Sequence, residues 1–385
     1  MLTPRSTLAR RVAVALDATP SRIPVLVGAS GSGRTTLLYQ LRERLGRTSA
    51  QYVDVEQMAT TPERFLRALK APSPFPSGSA GSVGARAAFD ETLAFLDSPA
   101  RPGGSEPATF LLDEFLELRT FESFPGLRRV LSELVDRLSA SPNRFVLTSR
   151  YAARTLRLLR DRSARFELVP MPALTLEEAV DILALPDGRS AAEGGDAEFV
   201  ARTVQALADG RPSYVRAIAD ELHARGRDRR PGDAISALAA LLAPDGRLAS
   251  ECHFSYELRL HRARGYGALK AILEIVADEE GLTLTEISQR LQRTPGSTKD
   301  YLSWLEDVDL VAARQKRYHL LDPVLRVWVR LYCRASAPTE EDIAREIHRY
   351  SLPRLPHQPE AAPRPAEPAF AMVGSAPSSG IIEID

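Results

Sequence analysis

The chain has 385 residues, more than one hydrophobic core usually organises, so two or three domains are expected. Hydrophobic residues make up 44% and charged residues 26%, which excludes a wholly disordered chain. Lys+Arg and Asp+Glu both number 50, so the net charge is zero and an overall basic balance gives no argument for nucleic-acid binding.

At the N-terminus, Arg5, Arg10 and Arg11 are followed only by Val12–Leu16 before Asp17. That apolar run is shorter than a signal peptide requires and predicts an amphipathic first helix. Residues 23–28 read as a strand, small residues follow, and Leu37, Leu38 and Leu41 open a helical pattern. Further strands are predicted at 52–55, 110–113, 145–149 and 166–169, with helices at 62–69, 89–96 and 127–138 between them. Buried strands alternating with helices imply a parallel α/β sheet. Residues 71–84 and 98–107 are rich in Ala, Gly, Pro and Ser and read as surface loops.

From Leu174 the pattern is helical, over 175–184, 196–208, 212–225 and 232–242. From Gly267 it changes again. Helices are expected at 268–279, from Thr283 or Thr285 to Leu291, and from Pro295 to about Leu305. A hairpin then turns at Gln315-Lys316, between 310–313 and 317–321. Three helices and a two-stranded wing make a winged helix. A last helix is expected over 322–333. The predicted organisation is a P-loop nucleotide-binding domain at 1–172, a helical lid at 173–262, a winged helix at 263–350 and a disordered Pro-rich tail at 351–385. Residues 352–385 hold seven prolines in 34 positions and little hydrophobic periodicity. Truncation at Leu352 should leave the melting temperature within about 2 °C; a larger drop in a thermal scan means that the tail packs.

Cys252 and Cys333 are too few for a disulfide framework or a structural zinc site, and read as reduced thiols of a cytoplasmic protein. No apolar run approaches a membrane span. Of the 50 basic residues only Lys70, Lys270, Lys299 and Lys316 are lysines.

Three motifs carry chemistry. Gly28-Ala29-Ser30-Gly31-Ser32-Gly33-Arg34-Thr35-Thr36 has the phosphate-loop spacing G-x4-G-x-[ST], with Arg34 where that motif has lysine. Its glycines let backbone N–H groups turn toward phosphate oxygens, and the following helix offers its positive N-terminus. Thr35 stands where a hydroxyl ligates Mg²⁺. Phe110–Asp113 is an apolar strand ending in two acids: Asp113 can hold Mg²⁺, and Glu114 can polarise a water for attack on the γ-phosphate. The strand 145–149 also ends in polar groups, so Thr148, Ser149 or Arg150 is placed to report on that phosphate. Gly210-Arg211-Pro212 opens a helix in the second domain. The third helix of the predicted winged helix and the residues just after it, 297–310, carry Lys299 but also Asp300, Glu306, Asp307 and Asp309, which speaks against base reading. Arg314, Lys316, Arg317 and His319 make the wing more basic.

This order of motifs, with the stretch Phe166–Ala179 and the phrase from Tyr318 through Asp322-Pro323 to Trp328, resembles the STAND class of signal-transduction P-loop ATPases. Within that class it is most similar to archaeal-type AAA-like ATPases. The resemblance covers about residues 5–335. It implies ATP and Mg²⁺ as cofactors. Gly28, Gly31, Ser32, Gly33, Arg34, Thr35 and Thr36 would bind phosphates, and Thr35 and Asp113 would serve the metal. Glu114 would drive hydrolysis, Arg150 would sense the γ-phosphate, and Pro212 would touch the base from the lid. The sequence departs from the family in Arg34, and in Pro4-Arg5-Ser6, where the family has a phenylalanine–glycine–arginine phrase. The implied function is a nucleotide-dependent switch with slow turnover and a protein partner or self-association. A DNA-binding regulator with a nucleotide-gated winged helix, or a degenerate scaffold without hydrolysis, are its rivals.

Overall fold

The computed structural model describes residues 5–76, 84–100, 106–184, 195–225, 231–261, 265–334 and 336–356. The centres of the two predicted surface loops, and the predicted tail from residue 357, lie outside these residues.

Five short strands form one parallel sheet: β1 (Ile23–Val27), β2 (Ala50–Asp54), β3 (Thr109–Asp113), β4 (Arg144–Ser149) and β5 (Phe166–Pro170), in the order β2-β3-β4-β1-β5. All carboxyl ends therefore share one edge. β4 lies between β1 and β3, which puts the end of β4 between the loop after β1 and the acids after β3. Ligands of open α/β sheets bind at such an edge.

The central strands β1, β3 and β4 are buried on both faces, and their two-residue period sorts side chains between two layers. Leu26, Leu111 and Val146 pack with Leu8, Val12 and Leu16 of α1 (Ser6–Asp17) and Leu37, Leu38 and Leu41 of α2 (Arg34–Leu45). Val25, Phe110 and Phe145 face the other way. There they meet α3 (Val55–Met58), α4 (Pro62–Lys70), α5 (Ala85–Leu96), a 3₁₀ stretch at Phe115–Ser123, α6 (Val130–Ala140) and α7 (Ala152–Leu159). Phe110 and Phe145 stack with centroids 5.8 Å apart. Burying each such ring contributes about 1.5–3 kcal/mol.

Next come α8 (Leu176–Leu183), α9 (Gly195–Leu207), α10 (Pro212–Ala224), α11 (Pro231–Leu241) and α12 (Arg247–His261). Thr175 and Glu178 form a capping box at the start of α8. The C-terminal part holds α13 (Tyr266–Asp278), β6 (Leu282–Thr283), α14 (Leu284–Leu291), α15 (Pro295–Asp307), β7 (Val311–Arg314), β8 (Arg317–Leu320), α16 (Pro323–Tyr332) and α17 (Glu340–Ser351). Its antiparallel sheet has the order β6-β8-β7, so the hairpin gains a third, two-residue strand. Gln315 and Lys316 both adopt positive φ, as a tight two-residue hairpin turn requires.

Four helices go beyond the sequence reading: the short α3 and α7 beside the sheet, and α12 and α17. α12 buries the stripe Leu248, Cys252, Tyr256 and Leu260 with Ala249 and Arg259 beside it, a pattern that its many polar residues mask. α17 follows a legible capping box, Thr339 with Asp342, and ends at Ser351, the first residue of the predicted tail. The Tyr256 and Trp328 rings lie 5.2 Å apart and join α12 to α16. Tyr350 donates to the Leu207 carbonyl at 2.7 Å, tying α17 to α9. One core thus runs through all three parts. Cys252 and Cys333 are free thiols. No helix among the described residues is long and apolar enough to cross a membrane.

Candidate functional site

The loop 28–33 leaves β1 and enters α2 through two left-handed glycines, Gly31 at φ +77° and Gly33 at φ +89°. A Cβ at Gly31 would sit 2.0 Å from Ser213 Oγ, so this position needs glycine for space as well as for backbone angle. Gly33 is the N-cap of α2 and supplies no side-chain cap, which leaves the first N–H groups of the helix to face outward. The Ser32 Oγ is buried and has no partner.

Thr35 Oγ1 donates to Asp113 Oδ2 at 2.7 Å, joining the loop to the end of β3 across 78 residues of sequence. Tyr52 donates to the same oxygen at 3.0 Å, and Thr148 donates to Oδ1. Three hydroxyls thus hold one buried carboxylate. Burial, reinforced by the Asp113 charge, pushes the Tyr52 phenol well above its usual value, so it stays a donor.

Glu114 has φ +55°, a left-handed position outside glycine, and is 6% exposed. Its carboxylate lies between two arginines. Arg34 Nη2 pairs with Oε1, while the Arg150 backbone N–H donates to Oε2 at 3.0 Å and the Arg150 Nε lies 3.3 Å from that oxygen. Arg34 also donates to the Ala29 carbonyl at 3.0 Å, and its Nε is buried without a partner. Burial pulls the Arg34 guanidinium down from the usual arginine value against the pull of Glu114 and Asp113; it remains a cation. Burial also disfavours the Arg150 charge, but Glu114 and Glu56 outweigh it and raise the Arg150 pKa. In this arrangement the Glu114 carboxylate is ion-paired on both sides.

The structure therefore brings Gly28, Gly31, Ser32, Gly33, Arg34, Thr35 and Thr36 together with Asp113, Glu114 and Arg150. Of the three candidates at the end of β4, Arg150 reaches Glu114 and Thr148 holds Asp113. Ser149 instead accepts from the Tyr151 N–H at 3.0 Å within the turn. α10 sits directly on the loop: the Ser213 N–H donates to the Gly31 carbonyl at 3.1 Å, and Pro212 Cγ lies 3.9 Å from a Cβ built on Gly33.

The loop, Pro212, Arg216 and Arg247 line a cavity of about 350 Å³. Behind it, Arg5, Thr36, Leu37, Leu174, Ile182 and Pro212 line a smaller space of about 70 Å³. Arg5 is 6% exposed; its Nη1 donates to the Pro172 carbonyl at 2.7 Å, and its Nη2 has no partner. The sequence reading passed over Arg5, inside the divergent Pro4-Arg5-Ser6 stretch, and over Tyr52 and Glu56 near the end of β2. Nothing local marks them; the pairing of β2 with β3 brings them in.

No protein-family model and no curated protein matches the sequence. Solved structures do. A Walker-type ATPase of Pyrococcus abyssi is 18% identical with a TM-score of 0.60, covering 85% of this chain and 96% of its own. Cdc6p of Pyrobaculum aerophilum is 15% identical with a TM-score of 0.42, over 92% and 96%. A RuvB variant of Thermotoga maritima is 14% identical with a TM-score of 0.41, over 83% and 93%. The likeness to the first is one of fold: the chain has the α/β fold of P-loop ATPases, followed by helical and C-terminal parts.

Proposed function

We propose that the protein is a nucleotide-dependent switch that takes Mg-ATP between the phosphate loop and α10 and hydrolyses it slowly. The observation that carries this reading is the Thr35–Asp113 hydrogen bond beside the buried Arg34–Glu114–Arg150 cluster. Thr35 and Asp113 offer the hard oxygens that Mg²⁺ prefers, and one carboxylate plus a hydroxyl is enough when phosphates complete the shell. The metal would neutralise charge on the phosphates. The unpartnered Ser32 hydroxyl and the left-handed glycines suit phosphate oxygens.

On this reading Arg34 exchanges Glu114 for phosphate oxygens. Glu114, released on that side, would accept a proton from the water that attacks the γ-phosphorus while the bond to the bridging β–γ oxygen breaks and ADP leaves. Arg150 follows the γ-phosphate from the end of β4. Pro212 and the free Nη2 of Arg5 meet the base, and α10 moves outward to widen the space behind the loop. The C-terminal part, read as a winged helix, would follow that movement.

The use of α15 supports an intramolecular role over DNA reading. Its Asp307 pairs with Arg157 of α7, and its Trp304 ring lies 5.7 Å from the Arg154 guanidinium. Calorimetry with ATP and ADP, with and without Mg²⁺, tests the proposal. Micromolar-range affinity is expected; no heat and no thermal shift at millimolar nucleotide would remove the switch reading.

A further inference from the structure

α7 begins two residues after Arg150, and its own N-cap residue, Tyr151, supplies no capping side chain. Its cap comes from far along the chain. Asp309 Oδ2 accepts from the Ala152 N–H at 2.5 Å, and Asp309 Oδ1 accepts from the Ala153 N–H at 3.3 Å. A carboxylate bridging the first two N–H groups suits the positive end of a helix. Asp309 lies just beyond α15 at φ +51°, a left-handed position that Asp tolerates better than most residues. Its own carbonyl accepts from buried Arg259 of α12 at 3.1 Å. One residue thus touches α7, α12 and the end of α15.

The turn it caps is short. Ser149 Oγ accepts from the Tyr151 N–H, Tyr151 is buried, and the Arg150 N–H points at Glu114. The backbone of Arg150 is thus anchored by Ser149 on one side and by Asp309 on the other.

We propose that Asp309 is a positioning residue through which the C-terminal part governs the nucleotide site: by capping α7 it fixes the turn that carries Arg150, and hence how Arg150 meets Glu114 and the γ-phosphate. This rests on the reading of the site as an ATPase. If the C-terminal part shifts, the cap is withdrawn and the Arg150 turn loosens. Conversely, a change at Arg150 is felt at Asp309, because coupling between two sites is reciprocal.

The test uses the full chain and two readouts. Asp309→Gly removes the cap without straining the backbone, since glycine accepts φ +51° freely. Asp309→Asn keeps a capping oxygen and also tolerates the left-handed position. Asp307→Ala breaks the neighbouring exposed pair with Arg157 and leaves the cap intact.

Hydrogen exchange needs no nucleotide. The amides of Arg150, Ala152 and Ala153 should exchange about tenfold faster in Asp309→Gly and stay protected in Asp307→Ala. In ATP turnover, Asp309→Gly should lose about fivefold or more in kcat while the ATP affinity stays within about twofold, and Asp309→Asn should recover at least half of the loss. Arg150 remaining protected in Asp309→Gly overturns the proposal, as does an unchanged kcat in a wild type that does hydrolyse ATP. A wild type that binds no nucleotide sinks the ATPase reading, while the exchange experiment still decides whether Asp309 holds the Arg150 turn.

Discussion

Arg34→Lys is expected to bind ATP at least as tightly as the wild type and to hydrolyse it faster, whereas Glu114→Gln should abolish turnover and spare binding. Phosphoryl transfer asks a protein mainly to position groups and to offset charge on the transferring phosphoryl. The Arg34 guanidinium can offset charge, but its planar fork spans from the Ala29 carbonyl to Glu114 and ties down the acid that should activate water. A lysine ammonium is compact and is more readily drawn to phosphate oxygens. Wild-type turnover should accordingly lie below about 1 s⁻¹, the low end of typical enzymes. A positioned general base is worth about 10²–10⁴-fold, which sets the loss expected for Glu114→Gln. Glutamine can still accept from the Arg150 N–H, so nucleotide affinity should change little. Initial rates of phosphate release, alongside calorimetry, separate the outcomes. A slower Arg34→Lys means that the site has adapted to arginine. Undiminished turnover in Glu114→Gln means that another group is the base.

Asp322→Ala should destabilise the chain by about 3–5 kcal/mol, because it leaves the largely enclosed Arg211 guanidinium without its carboxylate and removes the cap of α16. Asp322 Oδ2 accepts from Arg211 at 2.5 Å and from the Tyr214 hydroxyl at 2.8 Å. Its Oδ1 caps α16 by accepting from the Val324 and Leu325 N–H groups, both at 3.1 Å. Burial alone would raise the Asp322 carboxyl, but Arg211, the Leu325 N–H and Tyr214 outweigh it and hold the pKa below the usual value. A depressed carboxylate stabilises the fold above its unfolded pKa, about 3.9 for Asp, and that contribution disappears as pH falls through the lower folded value. Asp322→Asn keeps the cap and loses the charge. Its deficit relative to wild type should be full at neutral pH and shrink below about pH 4. Denaturant unfolding at several pH values measures this. A deficit independent of pH would show that the Arg211 pair adds nothing beyond the cap. Arg211 precedes Pro212 and Ser213, which touch the loop, so this pair also links the C-terminal part to the phosphate loop.

What the sequence determined by itself was local. The left-handed glycines at 31 and 33, the strand–loop–helix around them, the acid pair closing an apolar strand and the proline at the start of α10 all follow from spacing and residue type within about ten positions. Apolar alternation with helices implied a parallel sheet, and parallel pairing put every strand's carboxyl end on one edge. Only the tertiary structure decided which polar groups meet there. The order β2-β3-β4-β1-β5 inserts β4 beside the loop and brings in Tyr52 from β2 and Glu56 from the start of α3. It also turns Glu114, which the motif offers as a free base, into the partner of Arg34 and Arg150. Asp309 and Asp322 lie roughly 160 and 110 residues from the groups they hold. Sequence patterns see neighbours along the chain, whereas a carboxylate seeks whichever N–H or guanidinium the packing of whole helices leaves within about 3 Å.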